Sequence, residues 1–95
     1  MTKEEEIMTF LHERVFNPIL ESKEADESLK QGTRLTIARM NQLDAVGMLR
    51  YYWSAIVGTE RSINFAAKLR EADFIRFEEV IDEFRSRFTD VWLRK

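Results

Sequence analysis

The sequence predicts an all-α fold, a compact bundle of four main helices plus a short helix after Pro18, in a single helical domain over residues 1–95. Three observations carry this. Phe74, Phe77, Ile81, Phe84, Phe88 and Val91 recur at alternating spacings of three and four, which on a helix of about 3.6 residues per turn makes one continuous stripe. The composition, 44% apolar and 34% charged, suits a folded, helix-rich chain rather than a disordered one. Three glycines and one proline in 95 residues are too few for an all-β chain with many tight turns.

The first helix should start near Lys3, because Thr2 followed by Glu5 is a capping box. Ile7, Phe10, Leu11 and Val15 give it a buried stripe, with Arg14 close enough to be covered and paired. Asn17-Pro18 should end or sharply kink it, leaving a short helical piece from Pro18 to about Lys23. After the polar break at 24–28, Leu29, Thr33, Thr36, Ile37, Met40 and Leu43 share one face. The phase of that stripe changes between Met40 and Val46, so a break near Asp44 is favoured over one long helix from Glu27 to Val57.

The segment Ala45–Val57 carries two apolar faces. Val46, Leu49, Trp53, Ile56 and Val57 form one, assigned to the core; Met48, Tyr52 and Ala55, with Tyr51 beside them, form the other. A surface helix needs one apolar stripe, so a helix with two is central or lies at an interface. Gly58-Thr59 should close this helix and cap a short one from Glu60 to about Arg70, with Ile63, Ala66 and Ala67 inward and Phe65 and Leu69 on another side. Asp73 would cap the final helix, which reads as continuous to Lys95.

No cysteine is present, which removes disulfides, thiolate metal sites and thiol catalysis. The acidic start Thr2-Lys3-Glu4-Glu5-Glu6 does not read as a signal peptide. The longest uncharged run, Tyr51 to Thr59, is far short of the ~20 apolar residues that span a bilayer, so a cytoplasmic protein is expected. The net charge of -2 is unevenly spread: residues 32–70 are net basic, and both flanks are net acidic. An anionic partner would therefore meet the middle of the chain, although oppositely charged segments packed together explain the pattern equally well.

Chemistry-bearing signals are sparse, and no cofactor is expected. His12 is the single histidine, so two-histidine zinc sites and paired Glu-x-x-His di-iron motifs are impossible within one chain. Glu78, Glu79, Asp82 and Glu83 could hold a cation or act as an acid/base pair, but flanking Arg76, Arg85 and Arg87 favour a solvated, ion-paired face. The run Arg50-Tyr51-Tyr52-Trp53, with Arg34, Arg39 and Arg61, has the mix that meets phosphates and stacks on bases, against an acidic chain and no helix-turn-helix spacing. Thr59-Glu60-Arg61-Ser62 could seat an anion at a helix start, yet suffices as a local cap.

The run Tyr51-Tyr52-Trp53-Ser54-Ala55-Ile56-Val57-Gly58-Thr59-Glu60-Arg61-Ser62 resembles small bacterial helical proteins without an agreed activity, including ones carried by mobile gene cassettes. That resemblance implies no site residue. The leading expectation is a non-catalytic protein-interaction module, a homodimer through Met48, Tyr51, Tyr52 and Ala55 with Phe65 and Leu69 as extensions. The alternatives are a nucleic-acid-binding regulator using Arg34, Arg39, Arg50 and Arg61, and a small-molecule-binding protein or enzyme with Arg14, His12 or Arg61 converging on an aromatic pocket.

Overall fold

The computed structural model describes residues 1–58 and 63–95, with the side chains at 63–66 and 73 outside that description. The described residues form an all-α bundle. Helix α1 (Lys3–Leu11) begins at the capping box: the Glu5 amide donates to Thr2 Oγ1 at 3.1 Å and the Thr2 amide to Glu5 Oε1 at 3.4 Å. It buries Ile7, Met8, Phe10 and Leu11.

The helix does not end at Asn17-Pro18, and the short helical piece expected after Pro18 is present. The chain passes through one π-helical turn, His12–Phe16, and continues as α2 (Asn17–Glu21). In a regular helix the Pro18 ring would crowd the Arg14 carbonyl and leave one hydrogen bond unmade. The wider turn just before it, with the Asn17 amide donating to the His12 carbonyl, gives the ring room. It also rotates the apolar phase, so that the adjacent Val15 and Phe16 are both buried, with Ile19 following.

Helix α3 (Glu27–Met40) is capped by Asp26, whose carboxylate accepts from the Leu29 amide at 2.7 Å. Leu29, Thr33, Thr36 and Met40 are buried on the expected face. The two threonines are tolerated there because their hydroxyls donate to the Leu29 and Gly32 carbonyls, each at 2.8 Å. The break near Asp44 is present: Asp44 accepts from the Gly47 amide at 2.8 Å and opens α4 (Ala45–Tyr51), which runs on through a second π-helical turn, Tyr52–Ile56. Gly58 follows with φ 105°, the left-handed conformation that suits a glycine beyond a helix end.

Helix α5 (Ile63–Glu71) is described from Ile63 on; the expected start at Glu60 and the inward roles of Ile63 and Ala66 fall outside the described positions. Ala67, expected inward, is exposed, and Leu69, expected on the other side, is fully buried. The final third is not one helix. Asp73–Ile75 is a 3-10 turn, Arg76 is left-handed at φ 52°, and α6 spans Phe77–Arg87. Arg76 precedes α6 and gives it no side-chain cap; the expected Asp73 cap rests on a side chain outside the described positions. Thr89 then caps a separate helix α7 (Asp90–Arg94) by accepting from the Trp92 amide at 3.1 Å. A threonine hydroxyl competing for local amides, followed by an acid in the first turn, is a start signal inside the apparent stripe.

These interruptions decide which part of the stripe is core. Phe77, Ile81, Phe84 and Phe88 are buried as expected, whereas Phe74 and Val91 are 40% and 69% exposed, and Ile75 takes the inward place beside Phe74. α1 packs against α4, α2 against α3, and α3 against α4 and α5; α6 meets α5 and the first π turn. The radius of gyration, 12.7 Å, is close to the roughly 12 Å expected of a compact chain of this length.

Candidate functional site

The two apolar faces of α4 resolve against the expected order. Ile56 is buried as expected, but Ala45, Met48 and Tyr52 point into the core as well, while Val46 is 41% exposed and Leu49, Trp53 and Val57 are half-buried. Met48 and Tyr52 are therefore not available as an interface, and neither is Leu69. Tyr51 and Ala55 are half-buried, and the Phe65 side chain lies outside the described positions. The orientation follows from where α4 is tied. Its Ala45 amide donates to the Glu4 carboxylate on α1 at 3.3 Å, and the Tyr52 ring stacks on Phe84 of α6.

What this leaves at the surface is a groove of about 620 Å³ between α4 and the α6–α7 junction. Val46, Leu49 and Trp53 form its α4 wall with Arg50 and Ser54, and Phe88, Asp90 and Leu93 form the other. Trp53 is held edge-on by Tyr52 and Phe84, with ring centroids 5.1 and 5.8 Å away. The Arg85 guanidinium lies 5.2 Å from its ring centre, within cation–π range. The α7 wall is positioned by Trp92, which meets Phe88 edge-to-face at 4.8 Å, and by Lys3 Nζ, which donates to the Leu93 carbonyl at 2.5 Å. The Thr89-Asp90 start signal is the sequence cue that would have located this wall; read as part of one long helix, Leu93 and Asp90 carry no such meaning.

The arginines singled out as anion contacts do not form one patch. Arg14, on the first π turn, pairs with Glu83 of α6, and Arg34 pairs with Glu27 along α3 at 3.1 Å. Arg39 is exposed near the end of α3, Arg50 lines the groove, and Arg61 lies outside the described residues, as does the whole Thr59–Ser62 start. The carboxylates of α6 are ion-paired at the surface: Glu78 with Arg70 at 2.8 Å, Glu79 with Arg76 at 3.8 Å, Asp82 with Arg85 at 3.5 Å, and Glu83 with Arg14. His12 packs edge-on against Phe16. Among the described residues no cluster of His, Asp or Glu side chains is placed to hold a metal ion.

Two smaller clefts lie elsewhere on the surface. One, of about 340 Å³, lies between the 24–29 segment and Lys68, Glu71, Ala72 and Phe74; the other, of about 260 Å³, lies over Phe77 between Arg70 and Glu79. Among the described residues no helix is long and apolar enough to cross a membrane. Fold and surface thus define an all-α bundle with an apolar groove beside its C-terminal helix. Comparison of the chain with protein-family models, curated proteins and solved structures finds no match.

Proposed function

We propose that this chain is a non-catalytic protein-interaction module and that the α4/α7 groove is its docking surface. The observation that carries the reading is the row Val46, Leu49, Trp53 and Leu93, four apolar side chains lining one open channel floored by the buried Phe88. Apolar lining with a charged rim is what a buried contact patch needs. An arginine and a tryptophan at its edge are residue types that carry binding energy when covered. A helix laying two or three apolar side chains along the groove is the simplest occupant of such a channel.

The test is a selection of helical peptides that bind the chain, read by Trp53 fluorescence in a Trp92→Phe background and repeated there on Leu49→Glu. Peptides with apolar residues at helical spacing that perturb Trp53, and whose affinity falls at least about tenfold in Leu49→Glu, are expected. Selected peptides that bind Leu49→Glu unchanged, with helical circular dichroism intact, would show that docking lies elsewhere.

A further inference from the structure

Resting on that docking reading, we infer that the occupant is a second copy of this chain, joined about a two-fold axis so that α4 of one copy lies along α7 of the other and Arg50 faces Asp90 in both directions. A surface that meets itself by two-fold symmetry must be complementary to itself, so each contact from i to j is repeated from j to i. A groove rimmed by charges of one sign would repel its own copy. This one carries a cation on the α4 wall, Arg50, and an anion on the α7 wall, Asp90.

Both charges are exposed, and neither has an ion-pair partner among the described residues; Arg39, Arg87 and Arg94 share that state, but of these cations only Arg50 lines the groove. The α4 wall also carries an exposed valine beside its charge: Val46 stands one turn before Arg50 and is 41% exposed. An approach of α4 to the partner's α7 matches charge to opposite charge and covers Val46.

The test is sedimentation equilibrium on the wild-type chain, on Arg50→Asp, on Asp90→Arg, and on an equimolar mixture of the two variants. Wild type should dimerise, and each reversal should weaken self-association at least about tenfold, because both symmetry-related contacts become repulsive. The mixture should recover a dimer of near wild-type affinity, since the Arg50→Asp chain presents two acids to the two bases of the Asp90→Arg chain. Arg50→Asp lies on the regular part of α4 and so gives a reading independent of any effect on α7. Wild type remaining monomeric at high micromolar concentration while the selected peptides still bind would overturn the second copy and leave the docking reading standing. Reversals that associate like wild type, or a mixture that recovers nothing, would overturn the two-fold pairing itself.

Discussion

Tyr52 lies almost face to face with Phe84, their ring centroids 3.7 Å apart and their planes 20° from parallel, and both side chains are fully buried. Phe10, Trp53 and Phe88 meet the same Phe84 ring at 5.9, 5.8 and 4.7 Å, so one aromatic cluster joins α1, the π turn after α4, and α6. The pair sits directly behind Trp53. It is thus the support of the groove rather than part of any interface, and a charge introduced at Tyr52 would test folding, not association.

The Tyr52 hydroxyl is buried and has no hydrogen-bond partner among the described residues. An unmet buried hydroxyl costs about 1–3 kcal/mol, so Tyr52→Phe should raise stability by about 1–2 kcal/mol in chemical denaturation, the reverse of the usual tyrosine-to-phenylalanine loss. Burial also pushes the phenol above its ordinary value of about 10, ahead of smaller effects from Arg85 and Glu78. The sign follows. With the folded-state value raised, the contribution is fully present below about pH 10 and is lost as pH rises further, because unfolding then releases a proton, by up to about 1.4 kcal/mol per pH unit. Wild type should therefore lose stability above pH 10 more steeply than Tyr52→Phe. Equal slopes would mean the phenol ionises as freely in the folded chain as in the unfolded one.

Phe84→Ala should cost about 3–5 kcal/mol, measured as a shift in the denaturation midpoint at unchanged slope. The ring has no solvent exposure and touches four other aromatic rings, one from α1, two from the π turn after α4 and one from the end of α6, so the space it leaves cannot be closed by one neighbour moving. A near-neutral effect would place this position at the surface.

The middle of the C-terminal stripe was legible because Phe77, Ile81, Phe84 and Phe88 obey helical spacing and are all buried. Its ends were not, because spacing alone does not register a left-handed residue such as Arg76, or a threonine that stops one helix to begin another. The caps at Thr2 and Asp44 were readable for the complementary reason: a short polar side chain meeting amides three residues on is a local event written in neighbouring residues. The choice between the two faces of α4 is long-range. Periodicity shows that Val46–Leu49–Trp53 and Met48–Tyr52 are both apolar, but only the partners, Glu4 on α1 and Phe84 on α6, decide which one turns inward. The same applies to Pro18, where a π turn five residues long made room that a rule for regular helices does not foresee.

Helix α7 is the lightly held wall of the groove, and Lys3 is what ties it to the N-terminal helix. None of its residues is fully buried; it rests on the Thr89 cap, on Trp92 against Phe88, and on the Lys3 ammonium, which donates to the Leu93 carbonyl and stands 6.0 Å from the Trp92 ring centre. Lys3→Met keeps an apolar stem of similar length over the indole and removes the donor. Opening of α7 should become easier by about 1 kcal/mol, read as roughly fivefold faster hydrogen exchange at the Leu93 amide, which bonds the Thr89 carbonyl at 3.0 Å. Global stability should change by less than about 0.5 kcal/mol, since no fully buried side chain is altered, and exchange in α6 should not move. An unchanged rate at Leu93 would mean that the Trp92–Phe88 contact and the Thr89 cap hold the wall by themselves.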